Sequence, residues 1–203
     1  YCVSLDLERF FDTVNHSRLI EVLSGTIKDG RVVSLIHKYL TAGVMVSRTY
    51  EESTEGVPQG GPLSPLLANI MLNELDNELT RRGHKFVRYA DDCMILCRSK
   101  RAAGRVRDSI TVFIESQLHL KVNRDKTDVS YVGRVKYLGY SFYVMNGKCR
   151  LRLHPKSIIK MRAKLKELTS RSNGFGYAKL KDKLNRSVIG WMNYFKLADM
   201  RGI

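Results

Sequence analysis

Lys85-Phe86-Val87-Arg88-Tyr89-Ala90-Asp91-Asp92-Cys93-Met94-Ile95-Leu96-Cys97 holds two short apolar, β-forming runs with Ala90, Asp91 and Asp92 between them. The spacing predicts a tight hairpin with two carboxylates at its tip. Upstream, residues 2–7 alternate: Val3, Leu5 and Leu7 on one side, Cys2, Ser4 and Asp6 on the other. That pattern predicts a strand with one buried face and Asp6 on its polar side. Helical patterns separate and follow these strands. Asn15 and Asp29 stand as N-caps before helices over 16–24 and 31–41, the second with Val32, Leu35, Ile36 and Leu40 on one side. Residues 44–54 suit a hairpin and 55–62 a Gly/Pro loop. Ser64 then precedes Pro65 as an expected cap of a helix to about residue 82. Apolar residues from Ala103 to Leu118 recur at helical spacing. Strands are expected over 127–132 and 135–144, and Asn146-Gly147 is a hairpin turn leading into 150–153. The body is therefore expected to be α+β.

After His154-Pro155 the composition changes. Two amphipathic helices are expected, one through Ile158, Met161, Leu165 and Leu168 and one through Tyr177, Leu180, Leu184, Val188, Trp191 and Phe195, with Asn173-Gly174 and Gly176 between them. Residues 154–203 hold twelve Lys and Arg against Glu167, Asp182 and Asp199. Across all 203 residues, 35 basic and 20 acidic side chains give a net charge of +15. Such a chain suits a polyanionic partner: nucleic acid first, an anionic membrane surface second. A hydrophobic content of 43% is enough for a core and argues against global disorder. No apolar run approaches the roughly 18–20 residues of a membrane span, and no signal-like segment opens the chain. An intracellular protein without membrane insertion is expected. Cys2, Cys93, Cys97 and Cys149 form no C-x-x-C pair and share no metal-ligand spacing with histidine, so free thiols are expected rather than a zinc site.

Asp6, Asp91 and Asp92 are the candidate chemistry. Paired carboxylates held near a third repel one another unless a cation neutralises them. Oxygen-only ligands favour Mg²⁺, which also takes substrate phosphates. Two such ions, about 3.5–4 Å apart, serve in-line displacement at phosphorus. Taken alone, Asp-Asp at a turn is better explained by local backbone hydrogen bonding, and it is the wider spacing that favours the metal reading.

Tyr89-Ala90-Asp91-Asp92 resembles the Y-x-D-D box of reverse transcriptases. Ser4-Leu5-Asp6-Leu7-Glu8-Arg9-Phe10-Phe11-Asp12 resembles that family's first catalytic motif. Gly56-Val57-Pro58-Gln59-Gly60-Gly61-Pro62-Leu63-Ser64-Pro65 resembles its template and nucleotide loop. Residues 120–127, with Asn123 and Lys126, look like its lysine-bearing segment, and Val135-Lys136-Tyr137-Leu138-Gly139-Tyr140 looks like its primer grip. Trp191-Met192-Asn193-Tyr194-Phe195 resembles the thumb and maturase-proximal part of group II intron proteins. The resemblance thus covers nearly the whole chain.

It implies a right-hand polymerase palm, an antiparallel sheet backed by helices, in 1–153 with a remnant of fingers in 16–56, and a basic helical thumb leading into a maturase region in 154–203. The family's fingers strands, which normally precede the first motif, are expected to be mostly absent. Further implications are RNA-directed DNA synthesis with two Mg²⁺ ions on Asp6, Asp91 and Asp92, and Lys126 as general acid to pyrophosphate. Leu7, Phe11, Pro58, Gln59 and Gly60 would meet the nucleotide, Phe11 as the gate against a ribose 2′-OH. Leu138, Gly139 and Tyr140 would carry the primer. Bland alternatives stand beside these roles: Phe11 as core, Gln59 as a loop amide, Lys126 as a solvated cation. Trp191 and Tyr194 read as helix-packing residues. Expected partners are an RNA template, a DNA primer, dNTP and intron RNA, with self-association through bare palm surface. Two rivals are an RNA-binding maturase acting mainly in splicing and a reverse transcriptase of retron or CRISPR-linked type.

Overall fold

β1 (Cys2–Leu5) lies inside a four-stranded antiparallel sheet, flanked on one side by β5 (Asp92–Leu96) and on the other by β6 (Asp128–Ser130); β4 (Lys85–Tyr89) pairs outside β5. The structure, a computed structural model, describes residues 1–46, 49–172 and 174–200. Ser47 and Arg48 of the expected 44–54 hairpin, Asn173, and Arg201 of the basic set lie outside the described residues.

Four helices and a short turn of helix accompany the sheet. α1 (Phe10–Thr13) and α2 (His16–Thr26) follow β1, and α3 (Gly30–Thr41) precedes a hairpin of β2 (Val44–Val46) and β3 (Thr49–Glu51). α4 (Ser64–Arg81) and α5 (Lys100–Phe113) supply most of the remaining core. Both expected caps form: Asn15 accepts from the Arg18 N–H and Asp29 from the Arg31 N–H. Ser64 does not cap α4. The cap position falls on Leu63, and the Ser64 hydroxyl donates to the Pro58 carbonyl, which leaves the helix start tied to the preceding loop. On α3, Leu40 is buried and Ile36 packs on the core, but Val32 and Leu35 are 42% and 68% exposed. The early turns of α3 therefore have little to pack against.

Val3, Leu5, Met71, Leu72, Leu75, Leu79, Ile95, Ile110 and Ile114 are all at most 2% exposed. Each such side chain contributes about 1.5–3 kcal/mol relative to exposure. Cys2 is also fully buried, so the second face of β1 is not solvated along its length. Beyond α5 the backbone widens into a π-helical turn, Ile114–Leu118. Ile110, Ile114 and Leu118 recur every four residues, and all are fully buried. An ordinary helix drifts off its face at that spacing; the wider turn lets all three meet the core.

These elements form one compact unit, Tyr1–Ser130; Tyr131–Ile203 form a second. In the second, β7 (Tyr140–Met145) and β8 (Lys148–Leu153) make a hairpin whose Asn146 and Gly147 have φ of 52° and 70°, as a type I′ turn needs. The expected strand over 135–144 is broken. Leu138 and Gly139 have φ of 49° and 84°, and Tyr137 and Tyr140 exchange backbone hydrogen bonds of 3.0 and 2.9 Å across them. Two left-handed residues in succession cannot continue a strand. α6 (Pro155–Leu168) and α7 (Tyr177–Tyr194) complete the unit. No described helix is long and apolar enough to cross a membrane.

Candidate active site

Antiparallel pairing places Leu5 opposite Cys93 and Ser4 opposite Met94. One step further along the ladder, Asp6 leaves β1 beside Asp92, the first residue of β5. Tyr89 pairs with Asp92, so only Ala90 and Asp91 form the turn. The expected hairpin is one residue tighter than the sequence indicated, and Asp92 belongs to the strand. All three candidate carboxylates thus collect at one end of the central strands. Asp91 is half-buried and Asp92 exposed.

The loop after α5 completes this end. The Asn123 N–H donates to the Asp6 carbonyl at 2.9 Å, and the Asp6 N–H donates to Thr127 Oγ1 at 3.2 Å. Asn123 Oδ1 accepts from the Lys126 N–H at 3.2 Å, a turn that lifts the lysine side chain. Lys126 Nζ then lies 3.6 Å from Asp6 Oδ2. That oxygen is buried and has no hydrogen-bond donor among the described residues. Lys126 also lines a cleft of about 970 Å³, together with Leu7, Glu8, Arg9, Lys121 and Asn123; Asp6, Asp91 and Asp92 are not among its lining residues. Leu7 itself is 5% exposed, so it offers the cleft little beyond its backbone.

Phe11 and the 55–62 loop are joined by backbone. The Val57 N–H donates to the Phe11 carbonyl at 2.6 Å, and the Gly56 N–H to the Val14 carbonyl at 2.8 Å. His16, 6% exposed, bonds the Gly56 carbonyl through a ring nitrogen at 2.7 Å. Gln59 donates to Asp12 Oδ1 at 2.7 Å. Pro58 accepts from the Gly61 N–H at 3.2 Å around Gly60, whose φ of 82° suits the third place of a type II turn. Phe11 is half-buried and packs edge-on against Phe10, with ring centroids 5.3 Å apart.

Leu138, Gly139 and Tyr140 belong to the second unit and are described within it. Tyr194 Oη donates to the Leu138 carbonyl at 3.1 Å, Ser157 Oγ donates to the Gly139 carbonyl at 2.9 Å, and Tyr140 Oη donates to the Tyr194 carbonyl at 2.5 Å. A Cβ on Gly139 would meet the Phe195 ring at 2.9 Å. The turn is therefore held by the C-terminal end of α7. Phe195 is the buried aromatic there, whereas Tyr194 stays 56% exposed while stacking on Tyr140.

The side chains at the carboxylate end are oxygen donors, the type a hard divalent cation takes, and Asp6 Oδ2 is buried without a donor. Among the described residues, no three His, Cys, Asp or Glu side chains gather closely enough to hold a metal ion. Cys93, next to Asp92, is 2% exposed. Burial, reinforced by the charge of Asp76, pushes its thiol up to about 12.

Residues 1–142 match the family model described as reverse transcriptase (RNA-dependent DNA polymerase). The chain belongs to the reverse transcriptase family. Residues 158–203 match the group II intron maturase-specific domain. Protein YkfC of Escherichia coli K12 is 32% identical over 161 residues, covering 63% of this chain and 42% of that protein. The group II intron-encoded protein LtrA of Lactococcus lactis subsp. cremoris is 43% identical over 83 residues, 41% of this chain and 14% of LtrA. A putative COX1/OXI3 intron 2 protein of Saccharomyces cerevisiae is 28% identical over 206 residues, 71% of this chain and 24% of that protein. The chain thus spans less than half the length of these relatives. Among solved structures, apo telomerase of Candida tropicalis superposes with a TM-score of 0.60 at 13% identity, over 96% of this chain and 42% of telomerase. At that identity the likeness is one of fold, and it bears out the polymerase palm. The expected kinship, a group II intron type of reverse transcriptase, stands. Reverse transcriptases are as a family metal-dependent.

Sequence reasoning passed over four supports of this site. His16 and Thr127 looked like ordinary helix-start and strand residues. Asp12 shows in the sequence only as the last residue of the first motif. Arg88 carries no signal in the sequence beyond immediately preceding the Tyr89 box and, by alternation, lying on the inner face of β4.

Proposed function

We propose that the protein carrying these residues is an RNA-directed DNA polymerase of a group II intron. The observation that supports this reading is that strand register brings Asp6 and Asp92 to the same end of paired strands, next to the turn that holds Asp91, with Asp6 Oδ2 buried and lacking a hydrogen-bond donor. Asp6 and Asp91, with Asp92, would hold two Mg²⁺ ions. Those ions, when bound, lower the cost of forming the 3′ alkoxide and stabilise charge on the leaving pyrophosphate. The chain's own residues orient the reactants. Lys126, 3.6 Å from Asp6 Oδ2, would hand a proton to pyrophosphate. The cleft offers Arg9, Lys121 and Lys126 to a triphosphate. Phe11, fixed through its own carbonyl, limits room at the sugar's C2′. Pro58, Gln59 and Gly60 form the turn under the base. Leu138, Gly139 and Tyr140 carry the primer strand, and 1–153 and 154–203 act as palm and thumb.

A second activity is favoured by the maturase-specific match over 158–203 and by the twelve basic residues of 154–203. That segment binds intron RNA through phosphates and assists splicing, within the cell and without a membrane. The template is RNA and the primer DNA, and copies of the protein associate as homodimers. Extension of oligo(dT) on poly(rA) by the full-length natural protein tests the polymerase. Product should form with Mg²⁺ and stop with chelator; no product under any divalent cation would leave the splicing role alone.

A further inference from the structure

The turn that carries Asp91 is poorly suited to its own sequence. It has two residues, Ala90 with a φ of 53° and Asp91 without a positive φ. A positive φ at only the first central position is the pattern of a type II′ hairpin, which favours glycine there. Ala90 has a Cβ that opposes this conformation. Something outside the turn must hold it.

We infer that Arg88 is a positioning residue, a clamp that ties the Ala90–Asp91 turn to α4 and so fixes the direction of the carboxylates. Nη1 donates to the Ala90 carbonyl at 2.9 Å and to Asn69 Oδ1 at 3.0 Å. Nε and Nη2 donate to the two oxygens of Asp76 at 2.8 and 2.5 Å. Asn69 and Asp76 are seven residues apart on α4, two turns, and so share one face. A planar guanidinium can grip a carboxylate with one edge and a carbonyl with the other; an ammonium cannot. The Arg88 side chain is only 11% exposed and its two bonds to Asp76 are part-buried, so water competes weakly for that grip, while the bonds to Ala90 and Asn69 lie nearer the surface. α4 is anchored in turn by Leu67, Met71, Leu72, Leu75 and Leu79, none more than 2% exposed. Beside the strands themselves, Arg88 thus links the core under α4 to the catalytic turn.

This rests on the polymerase assignment, and the test keeps the two apart. In the full-length natural protein, Arg88→Lys retains the charge and loses the fork. Asp76→Asn weakens the grip from α4 without touching the hairpin. Single-nucleotide addition is measured against dNTP and against Mg²⁺, with primer–template affinity, urea stability and Mn²⁺ binding by electron paramagnetic resonance in parallel. Misplacement by about 1 Å costs up to about 100-fold in rate. Both variants should therefore lose about 10- to 100-fold in kcat, with primer–template affinity unchanged. Half-saturation by Mg²⁺ and by Mn²⁺ should rise several-fold together. Should Arg88→Lys fail to fold, Asp76→Asn must show the effect by itself. Folded variants with normal kcat and normal metal saturation would overturn the inference, as would a loss equal to the unfolded fraction. Asp91→Asn is the separate control: if it remains active, the polymerase site is misassigned, whatever Arg88 does.

Discussion

Gly56→Ala should destabilise the protein far more than Gly60→Ala, although both glycines have nearly the same backbone conformation. Their φ values are +85° and +82°. An alanine forced into that region costs about 1–2 kcal/mol at either position. At Gly60 nothing lies within 4 Å of an added Cβ, so the cost ends there. At Gly56 the Cβ would sit 2.8 Å from the Asp12 carbonyl oxygen and 2.9 Å from that of Phe11. Backbone atoms cannot swing aside, and the two hydrogen bonds that staple this loop to Phe11 and Val14 resist any shift. Overpacking of this kind adds roughly 1–3 kcal/mol. With a urea slope of about 2 kcal/mol/M, the Gly56 variant should unfold about 0.5–1.5 M earlier than the Gly60 variant. Equilibrium urea unfolding followed by circular dichroism measures this directly. Equal midpoints for the two variants would refute the close approach of the 55–62 loop to the first catalytic motif.

Phe11→Val should raise ribonucleotide relative to deoxyribonucleotide incorporation in competition assays, because it opens room near the sugar; lower rate with unchanged discrimination would return Phe11 to the core. Glu78, hydrogen-bonded by Arg81 and also by Arg82, is held down at about 2. Because the folded-state value is depressed, its stabilisation is full above the ordinary glutamate value of 4.5 and disappears as pH falls through about 2. The urea-midpoint gap between wild type and Glu78→Gln should therefore be constant from pH 7 to pH 5 and close towards pH 2, and a gap that persists at pH 2 would contradict the pairing.

Local chemistry made much of this fold legible. Asn15 and Asp29 announce helix starts because their side chains satisfy backbone N–H groups that nothing else can reach. Asn146-Gly147 announces a hairpin because both residues tolerate positive φ. Asp6, Asp91 and Asp92 were legible as a set only through spacing and resemblance, since no local rule brings residues 6 and 92 together. What stayed hidden depended on distant partners. Ser64 has the residue type of a cap, but the Pro58 carbonyl claims its hydroxyl. Leu138 is an unlikely left-handed residue by composition, and it is held there by backbone bonds and by Tyr194. Arg88 resembles any arginine on a strand until Asn69 and Asp76 on another element are seen beside it.

Asp91→Asn in the full-length natural protein, assayed at once for single-nucleotide extension and for intron RNA binding, bears hardest on the account. The substitution removes one negative charge from the turn and keeps its shape, and phosphate binding by the basic 154–203 segment does not depend on it. Extension should fall by several orders of magnitude at saturating Mg²⁺ while RNA affinity stays within about twofold of wild type, a difference under 0.5 kcal/mol. Near-normal extension by a folded Asp91→Asn protein would contradict the carboxylate site, and loss of RNA binding along with extension would contradict the separation of catalysis from RNA recognition.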